Sequence, residues 1–108
     1  MRITYYRTAS GREPAKEYIY SLQQASLEII LKDLELLSEL GFDAPVVTRK
    51  LKDKLWEIKT GSGRQQRIFY VTIAGPELVL LHACKKQKQG SQKEDVDLAF
   101  KRMKEVLS

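Results

Sequence analysis

Positively charged side chains gather around one glycine-rich hairpin of the sequence, KTGSGRQQRIFY at residues 59–70. Lys59, Arg64 and Arg67 lie within it, and Lys85 and Lys86 follow a later apolar run. Arginine binds phosphate through paired hydrogen bonds, and several cations together stabilise the extra negative charge of a phosphorane transition state. These residue types therefore indicate either a solvated strand edge or a site for a phosphate-bearing ligand.

RNA cleavage is a reaction that such a set of cations suits. The nucleophile is the 2′-OH of the RNA itself, so a metal-free reaction needs a base, cations on the phosphate and a proton donor for the leaving 5′ oxygen. A lysine crowded by other cations loses its proton more easily and can serve as the base. Tyr70 and Phe69 offer rings on which unpaired bases stack. The structural alternatives are that both rings are core residues and that Arg67 pairs with Glu57.

Other catalytic signatures are weak or missing in the sequence. The GSG at residues 61–63 is not followed by Lys-Ser/Thr and joins two predicted strands, so it is not a phosphate-binding loop. Cys84 is the only cysteine and His82 the only histidine, so the sequence offers no disulfide and predicts no metal cluster. The two share a face of a strand, but the sequence identifies no third residue to orient a Cys–His dyad. No cofactor is indicated.

Charge is distributed unevenly along the 108 residues, whose formal net charge is +5. Residues 1–48 hold 5 basic and 7 acidic side chains, whereas residues 49–108 hold 14 and 7. A basic second half suits a polyanion such as nucleic acid, or an acidic protein partner. With 43% apolar residues and no apolar run near the roughly 20 residues of a membrane span, we expect one domain over residues 1–108, cytoplasmic and without membrane contact.

Apolar periodicity predicts the elements that position these side chains. RITYY predicts a first strand, and spacings of three and four predict helices over residues 14–23 and 27–40, the second capped by Ser26 and ended by Gly41. A basic loop at 41–54 precedes predicted strands at 55–59, 67–73 and 77–84 and a helix over 94–107. We therefore predict an α+β fold of order β-α-α-β-β-β-α, with a small antiparallel sheet that carries its helices on one face.

The predicted hairpins also indicate which cations meet. Lys59 and Arg67 each face away from the apolar positions beside them, because side chains alternate along a strand. In an antiparallel meander the end of one strand, the start of the next and the end of the third lie together. Lys59, Arg67 and Lys85 or Lys86 are therefore predicted to form one cluster. We expect Arg67 to be exposed at its strand start, so that Arg67→Ala abolishes activity and leaves the fold intact.

The stretch KLKDKLWEIKTGSGRQQRIFY, followed by VLLHACKK and AFKRMKE, resembles the RelE/ParE superfamily of type II toxins, in particular its phage-derived HigB-like branch. The similarity is specific over residues 51–86 and follows the element order over nearly the whole chain. Lys59 stands where the branch commonly has arginine, HAC replaces His-Gly-Phe, and no tyrosine follows residue 70. The resemblance implies a microbial-RNase-like fold and ribosome-dependent endonucleolytic cleavage of mRNA.

The resemblance also assigns catalytic roles to four cations. Lys59 becomes the candidate base, Arg67 a ligand of the phosphate and transition state, and Lys85 or Lys86 a further phosphate ligand or proton donor. Six further residues are predicted to contact RNA: Lys50, Lys52, Arg64, Tyr70, His82 and Lys88. The implied partners are mRNA in the A site of the 70S ribosome and a cognate antitoxin, expected to be a helix-turn-helix protein.

Two other functions stay open from the sequence. A ParE-like relative inhibits DNA gyrase through protein contact and cleaves no RNA. A basic binding module only holds RNA or an acidic segment of an antitoxin. The cations Lys59, Arg67 and Lys86 favour the nuclease, since a pure interaction surface does not require cations at those three strand ends.

Overall fold

The computed structural model describes residues 1–87 and 92–108, so Lys88, one of the predicted RNA contacts, lies outside the described residues. The elements in chain order are β1 (Arg2–Tyr5), α1 (Pro14–Tyr20), α2 (Gln24–Leu40), β2 (Val47–Lys52), β3 (Leu55–Thr60), β4 (Gln66–Ile73), β5 (Glu77–Lys85) and α3 (Lys93–Leu107). No helix in the described ranges is long and apolar enough to cross a membrane. The predicted α+β class is confirmed.

The sheet has five strands in the order β1-β5-β4-β3-β2. β1 runs parallel to β5, and the other neighbours are antiparallel, so the prediction of a purely antiparallel sheet was wrong. The predicted element order was also wrong, because β2 had been assigned to a basic loop. β2 is an edge strand, and its exposed charged side chains hide the alternation by which a strand is recognised while they protect the edge from further pairing.

Helices cover both faces of the sheet, which corrects the prediction that they pack on one face. The first and second helices pack on a core that includes Ile58 and Ile68, whereas Ala99 and Met103 of α3 pack on the opposite face. The reason lies in the two central strands β4 and β5, whose apolar residues point both ways. Such strands are buried on both faces and need a cover on each side.

The turn between β3 and β4 is held in a fixed conformation. Gly61 has a φ of +80°, and a Cβ atom there would lie 2.7 Å from Cγ of Gln66, so the position requires glycine. Ser26 was predicted to cap α2, but the helix begins earlier, and the Ser26 hydroxyl instead accepts a 3.1 Å hydrogen bond from the backbone N–H of Ser62. This contact joins α2 to the turn that aligns β3 with β4.

Candidate active site

A cavity of about 420 Å³ opens on the α3 side of the sheet, at the end where α3 begins. Its charged lining consists of Arg49, Glu57, Lys59, Arg67 and Lys86, and its remaining lining residues are Gln87, Gln92 and Val96. We call this cavity the cationic pocket. Among the residues that the structure describes, four cations and one carboxylate give this lining a formal charge of +3, which suits an anionic ligand.

The register of three strands places these side chains on one face. Arg49 of β2 lies opposite Glu57 of β3, and Lys59 of β3 lies opposite Arg67 of β4. Two like charges in directly opposed positions destabilise a sheet, whereas Glu57 lies diagonal to Arg67 and offsets the repulsion. The strand pairing therefore brings together Lys59 and Arg67, as the sequence predicted, and adds Arg49 and Glu57.

Glu57 and Arg67 are buried at the bottom of the cationic pocket, with 2% and 6% of their surfaces exposed. The Glu57 Oε1 atom lies 3.3 Å from Nη2 of Arg49, and Oε2 lies 3.9 Å from Nε of Arg67. Among the described residues Oε1 has no hydrogen-bond partner. A buried acceptor without a hydrogen-bond partner is uncommon in native proteins, and here the ion pair with Arg49 offsets part of its cost.

The expectation that Arg67 is exposed was wrong. Its Nη1 atom donates to the backbone carbonyls of Arg64 at 2.7 Å and of Gln66 at 3.1 Å, which fixes the guanidinium below the turn. These bonds orient the side chain before any ligand arrives. Arg67→Ala therefore removes a buried cation and cannot be expected to leave the stability intact.

The structure separates the two lysines that follow β5. Lys86 lines the cationic pocket, and its backbone N–H donates to the carbonyl of Gln65 at 2.7 Å. Lys85 is exposed, pairs with Gln66 in the sheet and is not among the residues that line the pocket. Of the two lysines predicted to join the cluster, Lys86 is therefore the one that lines the same cavity as Lys59 and Arg67.

Both aromatic candidates for base stacking are core residues. Tyr70 is 2% exposed, faces the side of α1 and α2, and stacks on Trp56 with ring centroids 6.3 Å apart. Burial raises the pKa of its phenol to about 12, although a hydrogen bond with Thr48 opposes the shift. Phe69 is 0% exposed and packs under α3. Both rings therefore have core roles, the alternative that the sequence left open, and neither is exposed for a base to stack on.

Three of the predicted RNA contacts lie outside the cationic pocket. The Lys52 ammonium lies 4.1 Å from the ring centroid of Phe100 on α3. Lys50 pairs with Trp56, whose side chain packs on the α1 and α2 side, so Lys50 faces away from the pocket. Arg64 is exposed in the turn with a φ of 53°, and its carbonyl holds Arg67. The predicted contact of Arg64 with RNA stays a prediction.

His82 and Cys84 meet a residue of α3 that the sequence had not indicated. His82 Nε2 lies 2.8 Å from Oδ1 of Asp95, and its ring stacks on Phe69 with centroids 6.0 Å apart. Burial, followed by the neighbouring Asp95 carboxylate, raises the pKa of the Cys84 thiol to about 12. A thiol of this kind is a poor nucleophile, which agrees with the low weight that the sequence gave to cysteine catalysis.

The sequence reasoning missed Arg49, Asp95 and the central position of Glu57. Arg49 was placed in a loop, because the exposed charges of β2 hide the alternation of a strand. Asp95 lies in the first turn of α3, and no sequence signal brings it to His82. Glu57 was considered only as an ion-pair partner of Arg67, and its position opposite Arg49 requires strand β2.

Comparison with known proteins identifies the family. A search of the curated proteins found no match. A model of the phage-derived Gp49-like protein family matches residues 17–104, which include α2, all strands of the cationic pocket and most of α3. That family is toxin-like, which agrees with the resemblance to toxins that the sequence showed. The match does not assign the chain to the HigB-like branch. This chain therefore belongs to the phage-derived Gp49-like family.

Proposed function

We propose that this protein is the toxin of a type II toxin-antitoxin pair and cleaves mRNA in the A site of the ribosome. The observation that carries the proposal is the cationic pocket, in which four cations line the wall beside a buried carboxylate. One oxygen of that carboxylate is ion-paired with Arg49 but has no hydrogen-bond partner among the described residues. Membership of a toxin-like family supports the same function. The inhibitor is a cognate antitoxin, for which a helix-turn-helix protein is the expected type.

The cations of the pocket suit an RNA phosphate. Arg67 is fixed by two backbone carbonyls, so its guanidinium meets the phosphate with little further loss of side-chain entropy. Lys59 lies directly opposite it on β3, and Lys86 lines the same cavity. Preorganised positive charges of this kind stabilise the phosphorane more than the ground state because the negative charge grows in the transition state.

Glu57 is the group that we assign to the first proton transfer. Its Oε1 atom is an acceptor without a hydrogen-bond partner among the described residues and lies next to the cations that would hold the phosphate. The carboxylate takes the proton of the 2′-OH as that oxygen attacks phosphorus and the 5′ oxygen departs. Lys59, the base implied by the sequence resemblance, is then a phosphate ligand, and Lys86 is the candidate proton donor to the 5′ oxygen.

The test is reconstituted translation with purified protein and a defined mRNA, followed by mapping of the RNA ends. We expect cuts within codons that require the ribosome, and Lys59→Ala should lower the cleavage rate by about 100-fold. The matched control is Lys32→Ala, which removes the same charge from an exposed site on α2. Intact mRNA together with inhibited gyrase would identify a ParE-like toxin, and RNA binding without cleavage would identify a binding module.

A second pair of variants separates the two candidate bases. Glu57→Gln keeps the shape of the side chain and removes the proton acceptor, so cleavage should fall by about 10²–10⁴-fold. Circular dichroism checks that each variant is folded. If Glu57→Gln cleaves at the wild-type rate while Lys59→Ala is inactive, the base is Lys59 and the role assigned to Glu57 is wrong.

A further inference from the structure

A second group of reactive side chains lies beside the cationic pocket and has no part in the proposed cleavage. It consists of His82 and Cys84 on β5 and Asp95 in the first turn of α3. The nitrogen, sulfur and oxygen atoms that these residues offer to a metal all lie within 4.8 Å of one another. The side chains of His82 and Asp95 are only 17% and 23% exposed, so the group is largely enclosed by protein.

An irregularity in the sheet brings the group together. The register between β4 and β5 shifts between Phe69 and Tyr70, which pair with His82 and Leu80 respectively. The extra residue of this bulge, Leu81, packs on the α3 side, and His82 also points there and stacks on Phe69. Bulges redirect side chains in this way, and they are over-represented beside active sites.

We propose that His82, Cys84 and Asp95 bind one divalent zinc ion, with a water molecule in the fourth position. A set of one imidazole nitrogen, one sulfur and one carboxylate oxygen matches the ligands that zinc prefers, and three protein ligands with one open position are common for this ion. Zinc bonds of about 2.0–2.3 Å place ligand atoms roughly 3.3–3.8 Å apart. That separation lies between the 2.8 Å from His82 to Asp95 and the 4.8 Å limit of the group.

The protons balance on binding. The Cys84 thiol releases its proton to solvent and coordinates as a thiolate, whereas the imidazole keeps a single proton on Nδ1 and coordinates through Nε2. One proton therefore leaves the protein, from the Cys84 thiol, for each zinc ion bound. Gln92, whose Nε2 lies 3.2 Å from the Cys84 sulfur, supplies a neighbouring hydrogen bond of the kind that orients thiolate ligands.

The bound ion would fasten the start of α3 to β5. Cys84 lies opposite Arg67 in the sheet, and Gln92 and Val96 of the α3 end line the cationic pocket. The zinc site and the pocket therefore share a wall. The proposal does not rest on RNA cleavage, since metal binding is measured without any RNA.

The experiment uses the untagged full-length chain after treatment with a chelator. Cobalt(II), which replaces zinc and reports its ligands, should give a thiolate-to-cobalt charge-transfer band that saturates at one ion per chain and disappears when zinc is added. Asp95→Asn should lower the affinity for cobalt by about 100-fold or more, since even the loss of a group that supports a metal ligand lowers metal affinity by about 10–100-fold. Asp97→Asn is the matched control, because Asp97 lies on the same helix, is exposed and pairs with Lys93.

A second readout keeps the result clear if one variant folds poorly. Zinc should raise the Tm of the wild type and of Asp97→Asn, because it binds the folded state, and should not raise the Tm of Cys84→Ala. The absence of a charge-transfer band from the wild-type protein would overturn the proposal. A zinc-dependent rise in Tm that persists in Cys84→Ala would also overturn it, because the ion would then bind elsewhere.

Discussion

The two faces of β3 and β4 are built from alternate residues of the same strands, yet one is a core and the other a charged pocket. Ile58 and Tyr70 pack under the first two helices, whereas Glu57 and Arg67 point towards α3. Tyr70 is 2% exposed and Arg67 is 6% exposed, so depth of burial does not distinguish the faces. The difference is energetic, because buried apolar surface stabilises the fold and a buried ion pair contributes little net stability.

The α3 face is itself divided. Ala99 and Met103, further along α3, pack on Phe69 and neighbouring apolar residues, whereas Gln92 and Val96 at the start of the helix border the cationic pocket. The later turns fix where α3 lies, and the first turn closes the pocket. Because buried charges add little net stability, the elements that carry this site are held in place by apolar contacts made elsewhere along them.

The largest expected effect on stability comes from the core face. Ile58 is 0% exposed and lies between Glu57 and Lys59 on β3. Ile58→Ala should lower the free energy of unfolding by about 2–5 kcal/mol, because it removes buried methyl groups and leaves a cavity. Urea unfolding measures the loss, and Ile58→Val, expected to cost about 0.5–1.5 kcal/mol, is the matched control. A loss of cleavage per folded molecule would contradict the division between the faces.

Arg67→Ala should lower the free energy of unfolding by an amount similar to Ile58→Ala, and unlike that variant it should also lower the cleavage activity. It leaves the Glu57 carboxylate buried, with the more exposed Arg49 as its remaining ion-pair partner among the described residues. Breaking a buried ion pair costs about 3–5 kcal/mol, and we expect the lower end because Arg49 still offsets part of the charge. Urea unfolding measures the stability of the variant, and the cleavage assay measures its activity.

The double variant Glu57→Gln with Arg67→Gln tests the cause of that loss. Removing both charges should restore part of the stability without restoring activity, because no buried carboxylate is then left uncompensated. Arg67→Lys, which retains the positive charge, should be more stable than Arg67→Ala. If Arg67→Ala unfolds at the wild-type urea concentration, the buried ion pair does not act as described.

Local patterns in the sequence predicted most of the elements. The helices, the hairpin strands and the separation of Lys59 from the apolar face follow from periodicity and from glycine positions, which are properties of neighbouring residues. β2 was missed because an edge strand with exposed charges lacks that pattern. The parallel pairing of β1 with β5 joins residues such as Arg2 and Glu77, which are far apart in sequence, so no local signal reports it.

The part of the site that depends on local strand patterns was also predicted, and the part that depends on distant contacts was not. Lys59, Arg67 and Lys86 meet because their strands are consecutive in the chain, and strand geometry is enough to place them together. Arg49 needed the unpredicted strand β2, and Asp95 needed both the bulge in the sheet and the docking of α3. Arg67 was expected to be exposed because strand periodicity does not report the hydrogen bonds that hold its guanidinium to the carbonyls of Arg64 and Gln66.

The smallest expected effect appears only at alkaline pH and belongs to the core face. Burial raises the pKa of Tyr70 to about 12 in the folded protein, compared with about 10 in an unfolded chain. A folded-state pKa above the unfolded value gives stability that is fully present below about pH 10 and is lost as the pH rises towards 12. Tyr70→Phe has no phenol to ionise, so its urea midpoint should fall less between about pH 9 and pH 11 than that of the wild type.

A parallel variant is Tyr5→Phe, because burial also raises the pKa of Tyr5 to about 12. An equal fall in the wild type and in Tyr70→Phe would mean that the phenol of the core face reaches solvent, and the contrast between the two faces would then be smaller than the structure indicates.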